Sequence, residues 1–274
     1  MFPWLGKNPI DKLTAQEVLR VLRLVESRGA IESVHRIKII CGQVFRYAIA
    51  TGRADRDPTA DLRGALAPVQ TKHMPAITDP EQLKGLLKAI DTYKGSFIVK
   101  CAIQLQALTF VRPGELRHAE WSEIDLEAAQ WCIPAERMKL REPHIIPLSV
   151  QAVNILKDLK PLTGNERFVF PGGRSNLRPL SENAVLAALV NMGYKGIMTG
   201  HGFRATARTI LDEVLQQRVD LIEHQLAHKV RDVNGRAYNR TAHLPARRKM
   251  MQLWSDYIDG LKAGSKILPL KKTQ

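Results

Sequence analysis

The chain has 274 residues, 45% of them hydrophobic, with 41 Lys and Arg against 27 Asp and Glu, a formal charge of +14 and a pI near 9.9. That apolar share can bury a core, which argues against a disordered chain, and the length allows two compact domains or one large one. The basic excess attracts polyanions and is spread out, with a net +4 over residues 1–70 and +10 over 71–274, so no cationic tail accounts for it.

The first predicted helix follows Thr14, which can cap it together with Glu17, and Val18, Val21, Leu22 and Val25 recur at helical spacing until Arg28-Gly29 breaks it. A second helix is expected over residues 33–50, with Ile37, Ile40, Val44, Phe45 and Ala48 on its apolar face. The stretch 67–80 holds three prolines and reads as a linker. Asp79-Pro80 then opens a helix that turns Leu83, Leu86, Leu87 and Ile90 inwards. Residues 98–110 are apolar nearly all round, which predicts a central buried helix; with Lys100, Gln104 and Gln106 inside it, the run is too short and too polar to span a bilayer.

Residues 130–134 and 144–148 read as two strands of a small antiparallel hairpin with the charged segment 136–142 at its tip. A helix over 150–159 follows, then a short buried strand at 168–170 stopped by Pro171-Gly172-Gly173. Helices are expected over 181–192, 203–214, 219–228 and 245–259. The fold class is therefore mainly α with a small antiparallel β-sheet (α+β). The expected organisation is a helical domain at 1–70, a linker at 71–80, a second domain at 81–260 and a tail at 261–274. Cys41, Cys101 and Cys132 lie among apolar neighbours without a CxxC pair or zinc spacing, and no signal peptide pattern is present. The cysteines read as small core residues of a soluble intracellular protein.

Four segments can carry chemistry. Thr199-Gly200-His201-Gly202-Phe203-Arg204 places a His and an Arg three apart where a helix begins, an arrangement that suits a phosphate, although taken alone it is more often a capping His beside a surface Arg. Arg112 directly follows the buried helix, with Pro113-Gly114 turning the chain and Glu115 close enough to hold its guanidinium, which reads as a structural pair or a functional one. His228 ends a helix, and Tyr238 follows ten residues later; a lone tyrosine is more often a packing residue than a nucleophile. Lys139 sits in the charged hairpin tip, where a lysine is usually just solvated.

Order and spacing change the weight of these segments. Arg112-x-x-Glu115-Leu116, Arg137-Met138-Lys139 before Pro143-His144-Ile145-Ile146-Pro147-Leu148, His201-Gly202-Phe203-Arg204, Leu226-Ala227-His228 and Tyr238 together resemble the tyrosine recombinase (phage-type integrase) family, within it the integrases of prophages and genomic islands. Val44-Phe45-Arg46-Tyr47-Ala48, Asp57-Pro58-Thr59-Ala60-Asp61-Leu62 and Trp254-Ser255-Asp256-Tyr257 extend the likeness over almost the whole chain.

The resemblance implies a core-binding domain at 1–70, a catalytic domain at 81–260 and a site-specific DNA recombinase. Tyr238 would be the nucleophile that forms a 3′-phosphotyrosyl link. Arg112 and Arg204 would bind the phosphate, His201 and His228 would donate hydrogen bonds or assist proton movement, and Lys139 would protonate the leaving 5′-oxygen. Glu115 would orient its neighbours. No cofactor and no metal are implied. The implied partners are double-stranded DNA core sites and further copies of the chain, a tetramer in the synaptic complex, with an accessory DNA-bending or directionality factor as a further partner. The location is the cytoplasm, on the nucleoid. Family members usually carry a further N-terminal arm-binding domain, and Met1-Phe2-Pro3-Trp4 matches a point inside the core-binding domain, so a fragment or truncated gene is expected. The tail patch Ile267-Leu268-Pro269-Leu270 is expected to pack on a neighbouring subunit or to fray. Rival readings are a topoisomerase-like cut and reseal, a silent DNA-binding regulator, and a metal-dependent nuclease using some of the eight histidines.

Overall fold

A computed structural model describes residues 2–70, 74–228 and 243–264, and the chain divides into two compact units, residues 1–73 and 74–274. The first unit contains α1 (Phe2–Leu5), α2 (Ala15–Glu26) and α3 (Ile31–Ala50). α2 starts as expected: Glu17 N–H donates to Thr14 Oγ1 at 3.3 Å and Thr14 N–H to Glu17 Oε2 at 2.9 Å. Such a reciprocal cap contributes about 1 kcal/mol. Leu5, Val18, Val21, Leu22, Val34, Phe45, Leu62 and Leu66 form the unit's core. Gly42 permits close packing inside α3, since a Cβ there would lie 2.8 Å from Thr59 Oγ1. The expectation that Ile40 and Val44 face inwards is corrected, because they are 51% and 52% exposed. The apolar face of α3 is wider than its partner α2 can cover, and Val34, Phe45 and Ala48 take the buried stripe.

In the second unit, α4 (Pro80–Asp91), α7 (Val150–Thr163), α8 (Ala184–Asn191), α9 (Gly202–Thr209) and α11 (Leu244–Ala263) pack around α5 (Phe97–Thr109). α5 is the predicted central helix, and its second half from Cys101 onwards is almost wholly buried. Trp254 of α11 closes over its end, donating its indole N–H to Ala107 O at 2.9 Å and meeting the Phe110 ring edge-on at 6.2 Å. Next come α6 (Pro113–Arg117) and a three-stranded antiparallel sheet of β1 (Ile124–Asp125), β2 (Gln130–Ile133) and β3 (His144–Pro147), in that order. The hairpin of β2 and β3 is the expected one, with Trp131 opposite Ile146 and Ile133 opposite His144. β1 carries no apolar pattern of its own and was not expected.

Four further expectations are corrected. Residues 168–170 are buried but make only one bridge, Phe168 to Glu120; the pairing lies just beyond, between β4 (Pro171–Gly172) and β5 (Ser175–Pro179). Gly172 eases the close pairing there, since a Cβ would sit tightly, 3.3 Å from the carbonyls of Ser175 and Pro179. The helix expected over 203–214 is α9 followed by a π-turn at Ile210–Val214. That expected over 219–228 is α10 (Val219–Gln225), which stops where Ala227 adopts a left-handed φ of 49°. Cys132 is exposed rather than a core residue, because the strand alternation that buries Trp131 and Ile133 turns it outwards. Among the described residues no helix is long and apolar enough to cross a membrane.

Candidate active site

α5 and α10 both end on a left-handed residue or just before one, Phe110 at φ 42° and Ala227 at φ 49°. Helix ends leave carbonyls without intrahelical donors, and in each case an arginine supplies the donor. Arg204, 6% exposed on the first turn of α9, donates from Nη1 to Phe110 O at 3.0 Å and from Nη2 to Leu226 O at 2.6 Å. Arg112, half-buried between α5 and α6, donates from Nη2 to Ala227 O at 3.3 Å and from Nη1 to Glu115 Oε1 at 2.7 Å. Two guanidiniums from distant parts of the chain therefore meet on the consecutive carbonyls of Leu226 and Ala227. Glu115 is buried and also accepts the Arg112 backbone N–H at 2.9 Å, which fixes the turn that carries this arginine.

His228 completes the same turn. Its Nε2 accepts from Arg204 Nη2 at 3.2 Å, and its Nδ1 lies 2.5 Å from Glu223 Oε2. His201, exposed just before α9, sits in the same positive field: burial first, then Arg204, Arg112 and His228, pull its imidazole below the usual value, which favours a neutral ring at pH 7. Burial, then Arg112, pulls the Arg204 guanidinium down to about 10, so it stays protonated. Among the described residues the hydrogen-bond partners of Arg204 are two carbonyls and His228, with no carboxylate. A buried cation solvated only by dipoles keeps most of its field available for an anion.

The positions flanking this cluster are held closely. The carbonyl of Gly200 accepts from Gln106 Nε2 of α5 at 2.9 Å. Gly202 cannot be replaced without movement, because a Cβ would lie 2.4 Å from Pro75 O. Thr199 and Thr206 hydroxyls donate to the carbonyls of Pro75 and Ile77 at 3.3 and 2.7 Å, so residues 75–77 pack beside α9. On the other side Arg247 of α11 binds Gln225 Oε1 through Nη2 at 2.6 Å and Ile145 O at 2.7 Å. His144 of β3 donates from Nε2 to Gln225 O at 3.1 Å.

Burial, then the charge of Arg247, pushes the His144 pKa down to about 3. A histidine in the unfolded chain titrates near 6.5, so acid protonates the unfolded state first and stability is lost as pH falls from 6.5 towards 3. By pH 5 the expected loss is about 2 kcal/mol. Denaturant unfolding at pH 7 and pH 5 should show it in the wild type and less of it in His144→Gln, whose amide can keep the hydrogen bond. Parallel losses in both proteins would remove His144 as the cause.

The structure thus brings Arg112, Glu115, His201, Arg204 and His228 together. It does not bring Lys139 to them: Lys139 is exposed in the turn between β2 and β3, and among the described residues it makes no hydrogen bond or ion pair. The root of that turn is fixed, with Met138 buried and Arg137 donating from Nη2 to Glu115 O at 3.0 Å and from Nη1 to Glu123. Tyr238 and the tail patch at 267–270 lie outside the described residues. Sequence reasoning missed Glu223, Arg247 and the tie from Arg137 to Glu115. Their partners are backbone groups or residues at spacings no periodic pattern marks.

Two arginines and two histidines gathered at helix ends make a positively charged centre suited to an anion. Comparison with known proteins gives it a family. Residues 1–65 match the phage integrase central domain and residues 77–243 match the phage integrase family. The prophage integrase IntZ of Escherichia coli K12 is 42% identical over 97% of this chain and 65% of its own length. IntA of the same organism is 38% identical over 98% of this chain and 64% of its own length. The chain belongs to the phage integrase family of tyrosine recombinases, and it spans just under two thirds of the length of these curated relatives. Its fold is shared with a lambda integrase (75–356) dimer bound to a COC′ core site, at a TM-score of 0.63 and 19% identity over 83% of each chain.

Proposed function

We propose that the chain is the DNA-cleaving and rejoining part of a site-specific recombinase that integrates or excises a prophage or genomic island. The observation that carries this reading is the meeting of Arg112 and Arg204 on the Leu226–Ala227 carbonyls beside His228. Planar guanidiniums in fixed positions suit the paired oxygens of a phosphodiester better than flexible lysines. In the proposed step the Tyr238 oxygen bonds to phosphorus as its hydroxyl proton passes to a histidine of the cluster, the bond to the 5′-oxygen breaks, and Lys139 gives that oxygen a proton. The developing charge on the non-bridging oxygens falls to Arg112, Arg204, His201 and His228, with Glu115 keeping Arg112 oriented. Bond energy is held in the 3′-phosphotyrosyl link, so reversal onto a second 5′-hydroxyl needs no cofactor.

The partner is double-stranded DNA carrying a core site, which fits the charge of +14 and the DNA complex of the lambda relative. Further copies of the chain would assemble on it, as a dimer per site and a tetramer in synapsis, with an accessory bending or directionality factor where the reaction needs one. The second unit carries the chemistry in this reading, and the first, with residues up to about 70, would add to DNA binding.

The deciding experiment is covalent trapping. Labelled duplex spanning the junctions of the element that encodes the chain, nicked so that the cleaved end is lost, is incubated with the protein in EDTA and run on a denaturing gel. A shifted, protease-sensitive band is expected. Binding without any band would favour the silent regulator, and cleavage that EDTA abolishes would favour a metal-dependent nuclease. Covalent product without recombinants on intact paired sites would leave the cut-and-reseal activity.

A further inference from the structure

We propose that Glu223 is a positioning residue that fixes the His228 proton on Nδ1 and so turns Nε2 towards Arg204 and the anion pocket. For its catalytic consequence the inference rests on the strand-transfer reading above; for the state of the ring it rests on geometry alone. Glu223 holds the histidine twice: its carboxylate Oε2 lies 2.5 Å from Nδ1, and its backbone carbonyl accepts the His228 backbone N–H at 3.0 Å. Its other oxygen, Oε1, accepts from Arg208 Nε on α9 at 2.9 Å, so the carboxylate is itself held in place. A carboxylate only accepts, so the proton between it and the imidazole belongs to Nδ1. Burial works against the ionised form of Glu223, but hydrogen bonds from His228 and Arg208 outweigh it and bring the carboxyl below its usual range.

The spacing explains why the pair is invisible in sequence. Residues five apart do not face each other on a regular helix. Here α10 ends at Gln225 and the left-handed Ala227, φ 49°, folds the chain back so that the imidazole returns over Glu223. With Nδ1–H committed to the carboxylate, Nε2 is the only ring atom left for Arg204, which it meets at 3.2 Å, and for whatever Arg204 holds. The charge of Glu223 stands against Arg204 and Arg208, so the ring is oriented without drawing a carboxylate hydrogen bond onto Arg204 itself.

The test uses the full chain labelled with 15N at histidine, with His228→Asn assigning the signal. In the wild type the neutral ring is expected to show the Nδ1–H pattern of 15N shifts. In Glu223→Ala it should move towards the Nε2–H form that a free imidazole prefers, and single-turnover cleavage of nicked DNA should slow by about tenfold or more at unchanged DNA affinity. Glu223→Gln, whose amide oxygen still accepts from Nδ1–H, should keep the wild-type tautomer and recover part of the rate. A wild-type tautomer in Glu223→Ala would overturn the proposal, as would a Glu223→Gln protein no faster than Glu223→Ala. If the wild type forms no covalent product, the strand-transfer reading falls, while the 15N spectra still decide the role of Glu223.

Discussion

Arg204→Ala is expected to slow single-turnover strand cleavage by about 100- to 10,000-fold. In the proposed step two charge-assisted hydrogen bonds from Arg204 to phosphate oxygens would be lost, each worth about 1.5–3 kcal/mol, and each 1.4 kcal/mol is a tenfold change in rate. The substitution also strips the donors from Phe110 O and Leu226 O and leaves a void where α5, α9 and α10 meet, which adds a structural loss to the chemical one. Arg204→Lys separates the two causes. Lysine keeps the charge but is a point donor that cannot serve two carbonyls and a phosphate with one fixed plane. If the guanidinium geometry matters, Arg204→Lys should fold with a thermal midpoint closer to that of the wild type than Arg204→Ala and still lose most of the rate. A well-folded Arg204→Ala protein that cleaves within about tenfold of the wild type would remove Arg204 from the site.

What the chain showed in advance was whatever is local. Thr14 with Glu17, and Asp79 with Pro80, are capping signals complete within four residues, and the helices they open start there. The all-round apolar run before Phe110 could only be a helix covered on every side, and α5 is that helix. Misjudgements came where a tertiary partner decides. Ile40 and Val44 have the same periodicity as Phe45, but periodicity does not reveal how many neighbours will arrive to cover a face. Helix ends at Gln225 and Thr209 depend on the left-handed Ala227 and on a π-turn, and neither carries a glycine or proline to announce it.

The site followed the same division. His201 with Arg204, and Arg112 with Glu115, are short-range pairs that could be proposed from spacing. What the sequence alone could not show is that two helix C-termini, at Phe110 and Leu226, are brought together so that one guanidinium bridges them. Nor could it show the outer supports: Gln106 on Gly200, Arg137 on Glu115, and Arg247 with His144 on Gln225. Each joins elements whose adjacency is set only by the packed core. These contacts go mostly to backbone atoms, which every residue possesses, and so they leave little trace in residue identity.

Tyr238→Phe is the sharpest test of how the chemistry divides between scaffold and nucleophile. The substitution removes one oxygen and keeps the ring, so the volume and most of the apolar character of the residue are preserved. In the proposed step that oxygen forms the bond to phosphorus, and neither Arg112, Arg204, His201 nor His228 can replace it. Covalent product on nicked DNA should therefore fall below detection, with no slow residual phase such as Arg204→Ala would leave. In the proposed reading phosphate binding belongs to the arginine and histidine cluster, so DNA affinity and its steep decline with salt should match those of the wild type. Mixed assemblies sharpen the result: if each copy cleaves with its own tyrosine, Tyr238→Phe protein added to wild type should dilute the covalent product in proportion to its share. A covalent adduct on Tyr238→Phe would transfer the nucleophile to another residue. Loss of DNA binding together with cleavage would give Tyr238 a structural part instead of a purely chemical one.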